Sequence, residues 1–344
     1  MHSAPPRDRG VLHAIGRTPL VRLERLLPSG PAVWAKLEML NPGGSAKDRP
    51  AHRMLREALD SGRISQGSLV VESSSGNMAV GLAQACAVFG LRFHCVVDHL
   101  IQRQNLALVR AYGGTVEFIE PRMQPGESRL EARLRRVREI VAENRGAWWP
   151  NQYANPANPA AHAAGTMREI DEALGGRVDV VLAATSTTGT IGGCRARVTE
   201  RGGDTRVIGV DAVGSALFGG RPGDRLITGL GAGIEPALAR SADPDEVMRV
   251  SALDCVLGCR RLAAREGILA GGSSGGVITA LERLAPSLPR THTCVVILAD
   301  RGSRYLDTIY DDGWVEEKVG LGPDAVRARV EADPASPRRR WAVA

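Results

Sequence analysis

NPGGSAKDRP, residues 41–50, is the stretch from which the whole chain is best read. Asn41-Pro42-Gly43-Gly44 is turn chemistry: proline fixes one φ, and the glycines admit φ values that other residues avoid. Lys47 follows within three residues, and residues 51–59 (AHRMLREAL) predict a helix with Met54, Leu55 and Leu59 on one face. A lysine at the mouth of a glycine-rich turn, just before a helix, has two chemical uses beyond a solvated surface charge. It meets a phosphate, or it condenses with an aldehyde cofactor. The remainder of the chain weighs these.

Outward from that turn, short apolar runs alternate with helical patterns. Residues 18–23, 32–38, 69–72, 93–97, 115–119, 178–183, 206–211 and 294–298 predict strands. Residues 78–89, 104–112, 129–144, 158–174, 254–266 and 277–284 predict helices, with another after Gly193. This rhythm argues for α/β architecture with parallel sheets and helices on their faces. Residues 214–233 read as a glycine-rich connector. From about Gly320 the chain turns charged and proline-bearing, and 321–344 is expected to be a flexible tail.

The 344 residues are 43% hydrophobic and 24% charged, ordinary for a globular protein of two domains or one large unit. No apolar run is long enough to cross a bilayer, and the N-terminus lacks the apolar core of a signal peptide, so no membrane partner and a cytoplasmic location are expected. The six cysteines are scattered and match no common zinc spacing, so reduced thiols and no metal are expected. Net charge is +6, with arginine clusters at 133–138 and 338–340. Aromatics are only 4% and do not interleave with these clusters, which argues for solvated faces rather than nucleic-acid contacts. Anionic small substrates suit a basic protein equally well.

Residues 73–77, 185–193 and 271–276 are rich in Ser, Thr and Gly, and each is expected to join a strand to a helix at the carboxyl edge of a sheet, where ligands bind. The second offers hydroxyls and backbone N–H groups at a helix start, which suits a phosphate. It is neither a Walker loop nor Gly-x-Gly-x-x-Gly.

With these stretches in hand, the chain resembles the fold-type II pyridoxal phosphate enzymes of the cysteine synthase branch, over about residues 11–320. NPGGSAKDR is similar to that branch's Schiff-base motif, and residues 15–21 (IGRTPLV) to its N-terminal signature. Residues 74–77 (SSGN) resemble its substrate loop, 186–190 (STTGT) its phosphate cup, 271–275 (GGSSG) its pyridine-nitrogen contact and 151–159 its carboxylate contact. The resemblance implies two parallel-sheet α/β domains of the tryptophan synthase β-like class. Residues 1–46 with 152–320 would form a large cofactor domain, and 47–151 a smaller mobile substrate domain.

The same resemblance implies pyridoxal 5'-phosphate as cofactor, small amino-acid substrates and a homodimer. Lys47 would hold the cofactor and, once freed, move the Cα proton. Asn77, Ser186, Thr187, Thr188, Gly189, Thr190 and Ser273 would bind the cofactor. Ser74, Ser75, Gly76, Met78 and Gln152 would bind substrate, with Tyr153, Arg133 and Ser186 as partners for a substrate phosphate. A serine at 273, unlike an aspartate, need not protonate the ring nitrogen, which suits prompt loss of a β-leaving group. His52 and His162 are expected to be structural.

Departures narrow the reading. Met78 stands where common cysteine synthases carry a threonine hydroxyl, and the cup is Ser-Thr-Thr-Gly-Thr rather than Gly-Thr-Gly-Gly-Thr. Residues 149–155, 210–219, 251–260 and 299–307 look most like the N-(2-amino-2-carboxyethyl)-L-glutamate synthases, which use O-phospho-L-serine and L-glutamate on the way to 2,3-diaminopropionate for siderophores and peptide antibiotics. The competing expectations are a cysteine synthase using O-phosphoserine or O-acetylserine with sulfide, and a non-catalytic binding scaffold.

Overall fold

The computed structural model describes residues 10–120, 123–124, 127 and 129–332. In chain order the elements are β1 (Leu20–Leu23), β2 (Ala32–Leu37), α1 (Asp48–Asp60), β3 (Leu69–Ser73), α2 (Asn77–Phe89), β4 (Arg92–Val97), α3 (Arg103–Ala111), β5 (Thr115–Phe118) and α4 (Arg129–Glu143). There follow α5 (Ala157–Ala161), α6 (Arg168–Leu174), β6 (Val180–Ala184), α7 (Gly189–Glu200), β7 (Arg206–Ala212), β8 (Glu246–Val250), α8 (Ala252–Glu266), α9 (Gly272–Leu284), β9 (Thr293–Leu298), α10 (Asp312–Val319) and α11 (Pro323–Glu331).

Two sheets organise these elements. The larger runs β1-β2-β9-β6-β7-β8, and the smaller runs β3-β4-β5. Every pairing is parallel except β1 with β2. Trp148 extends the smaller sheet, its carbonyl accepting from Val71 N at 2.9 Å and its N–H donating to Leu69 O at 2.8 Å. The central strands β6 and β9 are covered on both faces, which is why they read as continuous apolar runs. Side chains of α8 and α9 pack on one face of the large sheet, and those of α7 and its neighbours on the other. The small sheet is covered by α1, α2 and α3 on one face and by α4 on the other.

Four local expectations change. The run 271–276 is not a strand-to-helix loop: it follows helix α8, and residues 272–276 are the first turns of α9. Its glycines serve close packing, since a Cβ on Gly275 would stand 2.0 Å from Cys255 O and one on Gly258 2.0 Å from Gly275 O. Similarly, α7 begins inside the run 185–193, at Gly189. The helix expected over 158–174 is broken by a π turn at His162–Met167, between α5 and α6. β8 escaped the strand pattern because it is an edge strand whose Glu246 and Arg249 carry charge.

Of the expected tail at 321–344, residues 323–331 instead form α11, which buries Val326 in the core of the large sheet beside Val315 of α10; residues 333–344, with the cluster at 338–340, lie outside the described residues. The cluster at 133–138 is mostly a paired surface, with Arg135 and Arg136 bound to Glu127, Glu139 and Glu117. Arg133 differs, as described below. Among the described residues, no helix is long and apolar enough to cross a membrane.

Candidate active site

The turn before α1 is braced from three sides. Gly44, at φ +87°, donates to Asn41 O at 2.8 Å, and Asp48 Oδ2 accepts from Gly43 N at 2.5 Å. Ala46 N reaches Ala299 O at 2.8 Å, and Arg304 donates to Gly43 O. A Cβ on Gly43 would collide with Asp48 Oδ1 at 2.6 Å, so glycine is required for this closure. Lys47 is thereby fixed at the N-terminal edge of α1, facing a cavity of about 270 Å³. Burial lowers its pKa from the usual lysine value, against the opposing charges of Asp300 and Glu38.

Lys47, Ser74, Ser75, Gly76, Asn77 and Met78 line this cavity, as do Arg133, Gln152, Tyr153, Ser186, Thr187 and Ser273. A recess that shares Lys47, Ser186, Thr187 and Ser273 with it reaches Thr188, Gly189 and Thr190. The structure thus brings together every residue named for the site from the sequence.

Loop positions explain the convergence. Ser74–Gly76 leave the carboxyl end of β3 and enter α2; Ser186–Thr188 leave β6 and enter α7; Ala299 and Asp300 leave β9. Thr188 caps α7 in the left-handed region at φ +63°, and its hydroxyl donates to Thr187 O at 2.7 Å. The first-turn N–H groups of a helix have no acceptor within it, so this end attracts an anion. His162, buried beneath, contacts Thr190 Oγ1 at 3.3 Å and Thr166 Oγ1 at 3.0 Å; burial drives its pKa well below the usual value, so it is a neutral structural histidine. His52 stacks on Phe89 with ring centroids 5.8 Å apart.

Asn77 Nδ2 donates to Asp300 Oδ2 at 2.7 Å, and Arg304 donates to Asn77 Oδ1. Tyr305 OH also donates to Asp300 Oδ2, at 2.5 Å, while the buried Asp300 Oδ1 has no partner. Burial raises the Asp300 pKa. Ser273, in the first turn of α9, is buried at 6% exposure on the cavity wall.

On the substrate side, Arg133 turns inward from α4. It donates to Ser75 Oγ at 2.7 Å, pairs with Asp98 Oδ2 at 3.3 Å and leaves Nε buried without a partner. Gln152 is buried, its N–H reaching Glu72 Oε2 at 3.2 Å and its Nε2 reaching Ser73 O at 3.4 Å. Burial holds Glu72 up at about 7. Tyr153 stands half-buried on the wall, its pKa raised by burial. Met78 puts a thioether on the wall and is 2% exposed.

Sequence reasoning missed Asp98, Arg225, Thr228 and Asp300, which also line the cavity. Arg225 and Thr228 sit in the glycine-rich connector, whose Gly229 and Gly231 at positive φ were the available signal that this segment folds tightly.

This donor set fits pyridoxal phosphate: a helix N-terminus ringed by hydroxyls for the phosphate, a lysine of depressed pKa in the same chamber, and a serine in the first turn of α9. The chain belongs to the pyridoxal-phosphate dependent enzymes, whose family profile matches residues 11–300. Among its relatives, the N-(2-amino-2-carboxyethyl)-L-glutamate synthase of Ralstonia nicotianae is 46% identical over 308 residues, covering 89% of this chain and 91% of that one. The synthase of the same name from Cupriavidus metallidurans is 45% identical over 309 residues, covering 89% and 90%. Similar solved structures include the O-acetylserine dependent cystathionine β-synthase from Helicobacter pylori, with TM-score 0.81 at 30% identity over 90% of this chain and 100% of that one. O-ureido-L-serine synthase superposes with TM-score 0.80 at 32% identity, over 93% and 98%.

Proposed function

We propose that this enzyme performs β-replacement, joining O-phospho-L-serine to the amino group of L-glutamate to give N-(2-amino-2-carboxyethyl)-L-glutamate. The observation that carries the reading is the placing, on the wall of one chamber, of Lys47 and of the Arg133 guanidinium, which turns in from α4 onto Ser75. A phosphorylated substrate calls for such a cation, whereas O-acetylserine and sulfide do not. The names borne by the Ralstonia and Cupriavidus relatives point the same way.

When bound, pyridoxal phosphate supplies an electrophilic aldehyde and a ring that takes up the electron pair left at Cα. Lys47 would anchor it and, when free, serve as the base that takes the Cα proton and returns it, a role favoured by the burial that lowers the Nζ pKa. Ser186–Thr190 would hold its phosphate, Asn77, tethered to Asp300, would contact the ring, and Ser273 would be the partner of the ring nitrogen. Ser74–Gly76, Met78 and Gln152 bind the substrate carboxylate region, and Arg133 with Tyr153 and Ser186 draws the departing phosphate. The Cβ–O bond would break with its electron pair leaving on phosphate, and the glutamate nitrogen would bond to Cβ, giving up one N–H proton to the departing phosphate or water while Lys47 returns the proton taken from Cα.

The proposal includes a homodimer acting in the cytoplasm, a smaller mobile domain of residues 47–151 closing over substrate, and a product committed to L-2,3-diaminopropionate for a siderophore or peptide antibiotic. Its test incubates protein and pyridoxal phosphate with O-phosphoserine and either glutamate or sulfide, read by mass spectrometry. A carbon–nitrogen adduct of glutamate with release of free phosphate is expected. Cysteine alone, or a strong preference for O-acetylserine, would establish the cysteine synthase alternative. Borohydride reduction followed by peptide mapping is expected to label Lys47, and Lys47→Ala to lower turnover by about 10²–10⁴-fold.

A further inference from the structure

Arg225 has no assigned part in the chemistry above, yet it stands in the chamber. It leaves the connector between β7 and β8 and lines the wall continued by Ile227, Thr228 and Gly229. The side chain is half-buried, and its Nε is buried without a hydrogen-bond partner. Asp211 is the carboxylate whose charge reaches it, but Asp211 Oδ1 accepts instead from Thr185 Oγ1 at 3.2 Å and Ala212 N at 2.9 Å. Arg133 is differently placed: it is tied to Asp98 and to Ser75 of the loop expected to hold the first substrate. Tyr153 lines the same chamber and feels the charge of both guanidiniums.

A guanidinium withdrawn from water with an unfilled donor is unfavourable until an anion meets it. Desolvation already lowers the Arg225 pKa, so the group would gain from such an anion. A planar fork of N–H donors matches a carboxylate on two points. Resting on the glutamate reading, we propose that Arg225 binds the side-chain carboxylate of the second substrate and so selects an acidic amino acid as nucleophile. Arg133 serves the first substrate and Arg225 the second, from different walls of one chamber.

The test separates the two stages in the holoenzyme. Phosphate release from O-phosphoserine alone is measured in a single turnover, and adduct formation is then measured with L-glutamate and with L-glutamine, which keeps the shape and lacks the distal charge. Arg225→Gln is expected to leave phosphate release and cofactor absorbance unchanged. It should raise the KM for glutamate by roughly a hundredfold and erase the preference for glutamate over glutamine. Arg225→Lys, which keeps the charge without the fork, should recover part of that preference. Arg133→Gln should do the reverse and slow phosphate release. If Arg225→Gln slows phosphate release, or keeps the glutamate preference of the wild type, the assignment is wrong while the reaction stands. If the wild type releases phosphate but forms no adduct with glutamate, the reaction itself is wrong and this assignment goes with it.

Discussion

Asn77 Nδ2 donates to Asp300 Oδ2 at 2.7 Å, joining residues 223 positions apart. The bond ties the first residue of α2, which follows β3 of the small sheet, to the loop after β9 of the large one. Arg304 completes the clasp from the other end of the amide. An amide held at both ends has one orientation, which is what a group positioning a flat ring needs.

Asp300 acts on Lys47 as well, since its negative charge favours the protonated amine against the effect of burial. In Asp300→Asn the Lys47 pKa is expected to fall further, so neutral amine persists to lower pH. The acid limb of kcat/KM should therefore move to lower pH, and cofactor should dissociate faster because Asn77 loses its tether. A limb that stays in place or moves upward would show that Asp300 does not set the charge of Lys47.

Ser273 sits at the start of α9, where a carboxylate would be favoured by the helix dipole but would share the chamber with Asp300. Ser273→Asp should protonate the ring nitrogen of bound cofactor, slow net replacement and build up long-wavelength absorbance with O-phosphoserine. Unchanged spectra and rates would reduce Ser273 to a packing residue.

Thr188 is β-branched and held at φ +63°, a conformation that costs non-glycine residues about 1–2 kcal/mol. Thr188→Gly is expected to stabilise the cofactor-free protein by about 1 kcal/mol, read as a higher Tm. The same change frees the loop before α7 and should weaken cofactor affinity. A lower Tm would mean the left-handed threonine is not strained.

Glu169 carries the acid sensitivity of the fold. It accepts from Arg49 Nη1 at 2.7 Å and Lys36 Nζ at 2.6 Å, while Arg49 Nε also pairs with Glu38 at 2.6 Å. Burial pushes the Glu169 carboxyl up, but Arg49 and Lys36 outweigh it and hold it at about 2 against an ordinary 4.5. A depressed carboxylate contributes stability above its unfolded value and loses it as pH falls from 4.5 towards 2. Glu169→Gln should cost roughly 3 kcal/mol near neutral pH and flatten that acid arm in urea titrations. A variant equally stable at pH 7 would show that the network is energetically neutral.

By itself the sequence determined the alternation of strand and helix, the turn that presents Lys47 and the hydroxyl-rich run at 185–190. Each is written in local periodicity or in turn residues, and local signals survive without a partner. It also carried enough to name Asn77, Gln152 and Ser273 for the site, because the motifs around them stand in a recognisable order, whereas Arg133 is named only by its position in the resembling branch. What only the tertiary structure decided is set by approach between distant segments. The glycines at 272–276 looked like a loop because glycine loosens a lone helix, and only the backbone of α8 at Gly258 shows why they lie within one. β8, α10 and α11 carry too much charge to announce themselves, and find their place because a sheet edge and a core face await them. Asp300, Arg225 and the Arg49–Glu169 pair are single charged residues far apart in the chain. Their partners are chosen by packing, and no spacing along the sequence encodes a contact made across it.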